Sequence, residues 1–329
     1  MAIRRREFIT LLGGAAAAWP LAAPAQQSVR LKRIGMLMSF AGSDPEAPIR
    51  VSALLHGLQE LGWTEGHNIR MDYHLAARDD IPAVTAAVVA LAPDVLLVNG
   101  TSVLRAAQQA ARNIPIVFVN VIDPVGQGFV QSLAKPGGNL TGFANVDFAM
   151  GGKWLELLKA IATDLTRVAV IGDEALGGGA GIMQAIEAAA ASLQVELSQF
   201  RARDAVVIER ALATFAQRPN SGLLVLPGSL TQFHRERIIA LAAQHRLPAI
   251  YPYRYYVTSG GLMSYGIDTA DVYRRTAAYV DRILKGAKPG ELPVQQPTKF
   301  ELVINVRAAK ALGLEVSPAL LSRADEVIA

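Results

Sequence analysis

The chain has no cysteine, which removes thiolate metal sites, cysteine nucleophiles, disulfides and a lipoprotein anchor together. Its five histidines, His56, His67, His74, His234 and His245, show no metal-ligand spacing. Serine chemistry finds no support either, because Gly228-Ser229 lacks the second glycine of a nucleophile elbow. Gly126-Gln127-Gly128 opens like a dinucleotide fingerprint, but Gln131 stands where the third glycine belongs. The run Gly177-Gly178-Gly179-Ala180-Gly181 could offer backbone amides to an anion at the start of a helix near Ile182. No Gly-Lys-Ser/Thr follows it, which excludes a nucleotide-hydrolysing loop. Carboxylates are plentiful, yet no pair has a spacing that implies acid-base work. The sequence therefore reads as a chain that binds without reacting, with no metal and no cofactor.

The elements that would position a binding site alternate strictly. Strands are expected at 33–38, 69–73, 95–98, 114–119 and 140–143, with helices at 49–61, 81–91, 101–112 and 129–134 between them. A second series follows, with strands at 168–171, 195–200, 223–226, 249–251, 262–265 and 300–306. Its helices fall at 153–161, 182–193, 207–216, 235–245 and 272–284, and a helical tail closes the chain. Short, almost wholly apolar strands between longer amphipathic segments indicate parallel sheets covered on both faces. Two such series exceed one sheet, so the fold class is α/β with two doubly wound parallel-sheet lobes.

Ligands of open parallel sheets sit beyond the carboxyl ends of the strands. There the chain places Ser39-Phe40, Asn99-Gly100-Thr101-Ser102, Asn120 with Asp123, Gly172-Asp173, Gly228-Ser229 and Asp268. Free amides and hydroxyls at a helix start suit a carboxylate, although Thr101 or Ser102 could equally cap its own helix. Tyr251-Pro252-Tyr253-Arg254-Tyr255-Tyr256 holds four tyrosines in a chain with only 6% aromatics. Such a run fits either a polar cleft wall, with Tyr251 and Tyr253 facing ligand, or packing between lobes.

The amino terminus carries an address. Arg4-Arg5-Arg6-Glu7-Phe8-Ile9 precedes a weakly apolar stretch from Leu11 to Ala18, and Ala23-Pro24-Ala25 supplies small residues for a peptidase. Arg5-Arg6-x-Phe8-Ile9 matches a twin-arginine (Tat) signal, read by the Tat translocase, with cleavage between Ala25 and Gln26. A spanning helix needs roughly 20 apolar residues, and this run is shorter and is followed at once by Pro20 and Pro24. Removing residues 1–25 strips three arginines and one glutamate, a net +2, so the formal charge falls from +4 to +2. A near-neutral chain without basic runs interleaved with aromatics excludes a nucleic-acid surface. The mature protein is thus expected in the periplasm, as a monomer.

Four stretches carry a family likeness: Leu58 to Trp63, Ile116 to Gly126, Pro136-Gly137-Gly138-Asn139-Leu140-Thr141-Gly142, and Gly286 to Val306. On them the chain resembles ABC-transporter substrate-binding proteins of the tryptophan/tyrosine-type group, which have the type I periplasmic binding protein fold. The resemblance implies ligand capture between two lobes joined by three crossovers, near 144–152, 259–261 and 292–297, and delivery to an inner-membrane permease. It divides the chain into residues 26–146 plus 262–294 for lobe 1 and 147–261 plus 295–329 for lobe 2. Thr101-Ser102 and Asn120 to Asp123 would hold an amino acid's carboxylate and amine, met by Asp173, Ser229 and Tyr253 from lobe 2. Relatives usually carry an Asn-Pro-rich segment where this chain reads Gly172 to Gly179. The resemblance points to a small carboxylate-bearing ligand, an amino acid or aromatic acid. The rivals are an exported two-domain enzyme and a ligand-sensing subunit for a membrane receptor. Amino-terminal sequencing of the exported chain should begin at Gln26; a chain that keeps Met1 would refute the signal reading.

Overall fold

In the computed structural model, which describes residues 30–40, 44–145, 147–173 and 180–329, two sheets stand side by side. The signal segment, its cleavage site and the glycine run at 177–179 lie outside the described residues. The first sheet is wholly parallel, in the order β2-β1-β3-β4-β5. Its strands are Lys32–Met38 (β1), Ile69–Leu75 (β2), Val95–Asn99 (β3), Ile116–Val121 (β4) and Leu140–Ala144 (β5). Helices Glu46–Glu60 (α1), Ile81–Ala90 (α2) and Thr101–Ala110 (α3) connect them. β3 and β5 are buried along their entire length, as strands covered on both faces must be.

The second sheet has seven strands. Arg167–Asp173 (β6), Glu196–Ala202 (β7), Ser221–Val225 (β8) and Ala249–Tyr251 (β9) are followed by Met263–Ile267 (β10), Phe300–Asn305 (β11) and Glu326–Ile328 (β12). Only β10 and β11 pair antiparallel. Its helices are Met150–Ile161 (α4), Ala180–Leu193 (α5), Ala205–Phe215 (α6), Ser229–Phe233 (α7), Arg235–Gln244 (α8) and Arg254–Thr258 (α9). Thr269–Leu284 (α10) returns to the first lobe, while Val306–Ala311 (α11) and Pro318–Leu321 (α12) stay with the second sheet's last strands.

Four sequence expectations are corrected. Residues 129–134 form turns rather than a helix, because Asp123 to Gly128 folds back on itself and Phe129 and Val130 donate to the Pro124 carbonyl. β10 pairs with β9 and β11, so residues 263–267 belong to the second sheet and not to the first lobe, where 262–294 was assigned. The middle crossover consequently falls at Asp268, between β10 and α10, and not at Ser259 to Gly261. Glycines at 260 and 261 had marked a turn, but the turn joins α9 to β10 within one lobe. The carboxyl-terminal tail, expected to be helical throughout, also supplies the edge strand β12, which pairs with β11.

α10 secures its place in the first lobe by packing along α1. A Cβ on Gly57 would lie 2.5 Å from the Arg274 carbonyl oxygen and 2.9 Å from the Ala277 Cβ, so only glycine permits this approach. At one end of the contact the Trp63 indole donates to Asp281 at 2.8 Å, and Lys285 pairs with the same carboxylate at 2.6 Å. The carboxyl ends of both sheets converge on one cleft, and residues 32–329 form one unit. No described helix is long and apolar enough to cross a membrane. Gly57→Ala should lower the unfolding free energy by about 1–3 kcal/mol, the cost of overpacking a tight contact, as measured by denaturant titration.

Candidate functional site

Between the lobes lies a narrow, nearly closed cavity of about 20 Å³, room for about one water. It is lined by Ser39 after β1, by Asn99, Gly100 and Thr101 after β3, and by Asn120 and Ile122 at the end of β4. Asn145 after β5, Gly228, Ser229 and Gln232 after β8, and Tyr253 after β9 complete it. Every contributor stands at the carboxyl end of a strand, in the turn that follows or in the first turn of the next helix. None carries a formal charge.

Local geometry explains how each is aimed. Gly100 adopts φ +90° and precedes α3, and a Cβ there would sit 3.7 Å from the Ser229 hydroxyl, so the lobes nearly touch at this point. The first amides of α3 have no partner within the helix, which leaves its amino end attractive to an anion. Thr101 accepts weakly from the Ile122 amide at 3.4 Å. Asn120 takes φ +56° at a register shift between Val119 and Val121, a bulge that turns its side chain out of the sheet. Its amide nitrogen donates to Asn99 at 2.8 Å. Asn145, 3% exposed, donates across to the Tyr253 hydroxyl at 2.7 Å.

Three polar atoms of this ring are buried with no hydrogen-bond partner among the described residues: the Oδ1 of Asn120, the Oδ1 of Asn145 and the Nε2 of Gln232. Buried polar groups left unpaired are costly, about 1–3 kcal/mol each. Two acceptors and one donor thus await a complementary molecule that brings donors to the asparagines and an acceptor to the glutamine.

Of the residues singled out from sequence, Ser39, Gly100, Thr101, Asn120, Gly228, Ser229 and Tyr253 line the cavity. Six others stand outside it. Phe40 lies beneath the Arg50 guanidinium, 4.5 Å from ring centroid to carbon. Ser102 is half-buried one position further along α3. Asp123 accepts from the Gly126 amide at 2.8 Å and closes its own turn, and a Cβ on Gly126 would collide with that carboxylate. Asp173 accepts from the Leu230 amide at 3.4 Å, tying β6 to α7. Asp268 caps α10 through the Asp271 amide at 3.1 Å. Tyr251 is 1% exposed and stacks on Tyr256 with ring centroids 5.0 Å apart.

The expected carboxylates are therefore consumed by caps and turns. Asn99 was named with the turn after Val98 but not as a ligand residue, and Ile122, Asn145 and Gln232 were missed. A period-2 strand pattern could have flagged Asn99, as the polar end of an apolar run, but Asn145 and Gln232 had no motif to mark them.

The tyrosine run serves both readings that its sequence left open. Tyr253 faces the cavity, while Tyr255 and Tyr256 stack at 5.1 Å behind it. Burial pushes the Tyr253 hydroxyl up to about 12, against smaller opposing effects from the Asn145 hydrogen bond and the Arg50 charge. Burial also raises Tyr251, Tyr255, Tyr256 and Tyr273.

Two lobes with strand-end loops meeting over a shared cavity define the type I periplasmic binding protein fold. The sequence model for "ABC transporter substrate binding protein" matches residues 43–328, and the chain belongs to that family. Its members bind a substrate rather than transform it. A "Tyrosine-binding protein" of Clostridioides difficile is 25% identical over 291 residues, covering 88% of this chain and 83% of the relative. Among solved structures, a conserved domain protein from Vibrio cholerae is 28% identical with a TM-score of 0.84, over 91% of this chain and 100% of that one. An ABC domain from Streptococcus pneumoniae in complex with L-Trp superposes with a TM-score of 0.83 at 22% identity, over the same 91% and 100%.

The raised tyrosines predict alkaline lability. Each binds its proton more tightly folded than unfolded, so their contribution is complete below the usual tyrosine value of about 10 and is lost as pH rises through the folded values. Stability should fall steeply above about pH 10, and absorbance at the tyrosinate band should rise together with unfolding, not before it.

Proposed function

We propose that this chain is the periplasmic receptor of an ABC importer and that it captures a free amino acid, presented as a zwitterion, between its lobes. The observation that carries this reading is the uncharged ring of unpaired polar atoms. An ammonium group supplies donors to the Oδ1 atoms of Asn120 and Asn145. A carboxylate accepts from Gln232 Nε2 and from the amide-rich start of α3, where the helix dipole also favours negative charge. A zwitterion adds no net charge to a cavity that offers no counter-charge, which disfavours a ligand with strong net charge. The names of relatives, tyrosine-binding in one and complexed with L-Trp in another, support an amino acid and make the aromatic ones the first to test.

In this reading the free protein exchanges between open and closed arrangements, and ligand binds both lobes at once and so favours the closed one. A permease in the inner membrane then recognises the closed pair of lobes. Export through the Tat translocase, removal of residues 1–25 and action as a monomer complete the proposal.

Thermal-shift and calorimetric titration with tryptophan, tyrosine, phenylalanine, aliphatic amino acids, aromatic acids and sugars test it. A rise in melting temperature is expected with one or more amino acids; a response to sugars alone would sink the assignment. Asn145→Leu and Gln232→Leu should each weaken the amino acid that binds by about tenfold or more, because each strands one charged end of the ligand without its partner.

A further inference from the structure

Outside the cavity, at the same interface between lobes, lies a buried charged cluster that ligand binding does not use. Asp44, just before α1, is 7% exposed; one of its oxygens accepts from the Glu46 amide at 3.0 Å and the other from Arg235 of α8 at 2.5 Å. Arg235, at 6% exposure, reaches from the opposite lobe. Its guanidinium carbon lies 5.6 Å from the centroid of the Tyr255 ring. Arg50 of α1, at 1% exposure, approaches the same ring to 5.5 Å and also stands over Phe40. Tyr255, carried by α9 of the second lobe, therefore contacts a guanidinium from each lobe. Among the described residues the nitrogens of Arg50 make no hydrogen bond, and Glu46 faces it at 3.7 Å.

We propose that Asp44, Arg50, Tyr255 and Arg235 form a latch that holds the lobes together and sets the balance between closed and open arrangements independently of the ligand. The Asp44–Arg235 pair is its directional part. With the lobes apart, both side chains would be hydrated. With the lobes together they are out of water: the carboxylate is held by Arg235 and the Glu46 amide, and the guanidinium by Asp44 and, more distantly, by Glu236 at 3.8 Å. Removing one partner leaves the other charge buried and unpaired in the closed form alone, so the variant shifts toward open. Tyr255 adds a cation–π contact to each guanidinium, a stronger attraction once water is excluded. None of the four residues lines the cavity, so they act on binding only through closure.

The absence of cysteine makes a direct test practical. Cysteines introduced at the exposed positions Gln109 in α3 and Gln217 after α6, one on each lobe, accept a donor and an acceptor dye. Single-molecule energy transfer on the mature chain, with no ligand added, then reports the separation of the lobes. The parent should show a distinct closed population. Asp44→Asn and Arg235→Met should each lower the closed-to-open ratio by about tenfold or more. The double variant should be no worse than the more affected single, because the interaction it removes is already gone. Far-ultraviolet circular dichroism and cooperative thermal unfolding confirm that each variant is folded, and Asp44→Asn alone carries the test if Arg235→Met does not fold. A parent with no closed population, unchanged ratios in the variants, or effects that simply add in the double would each overturn the latch. The measurement uses no ligand, so failure of the amino-acid assignment would leave its outcome intact.

Discussion

Parallel pairing is the constraint from which this molecule follows. Strands that run the same way end on the same edge, and each needs a crossover to return to the start. The turns after β1, β3, β4 and β5 are therefore gathered at one edge of the first sheet, and those after β8 and β9 at one edge of the second. Setting the two edges against each other makes a cavity from turns and helix starts, while the strands behind them are fixed by continuous hydrogen bonding and apolar packing. Polar groups can collect in those turns without disturbing the core, because no ladder bond depends on their side chains. The bulge at Asn120 shows the limit of this freedom, since one residue is left out of register to direct an amide into the cleft.

Much of this was legible in the sequence because apolar runs such as Val95 to Val98 and Ile116 to Val119 fit only a buried strand, and the residue after each run is then a site candidate. That logic located Ser39, Gly100, Asn120, Gly228 and Tyr253. It could not tell a carboxylate that meets ligand from one that meets its own backbone. Asp123, Asp173 and Asp268 occupy the expected turns, but each carboxylate is engaged by a nearby amide. Short acidic side chains are favoured in turns and caps for that very reason, so composition alone is ambiguous there. Asn145 escaped notice because its importance comes from Tyr253, 108 residues away in sequence. β10 was assigned to the wrong lobe because strand character says nothing about which neighbour a strand will choose.

The distribution of charge divides the interface into two regions with different physics. The cavity is polar, uncharged and underbonded, so its unpaired atoms gain most from a partner molecule. The adjacent cluster is charged and nearly dry. There burial, helped by the neighbouring Asp44 charge, holds the Glu46 carboxyl above its ordinary value, although Arg50 pulls the other way. Burial likewise disfavours the Arg235 cation, and the Asp44 carboxylate more than compensates. In the proposed reading, separating the two regions places ligand specificity in one set of residues and the cost of closure in another.

The path of the chain between the lobes has a consequence for how the molecule is built. The first lobe receives α10 only after β10 has been made, and the second receives β11 and β12 only after α10. Each lobe therefore closes its structure with a segment that lies beyond part of the other. α1 must wait for a partner more than 200 residues downstream, and β6 to β10 form a sheet whose far edge is supplied by residues 300–328. During synthesis the first lobe lacks α10, and the second lacks β11 and β12, until the last quarter of the chain has emerged.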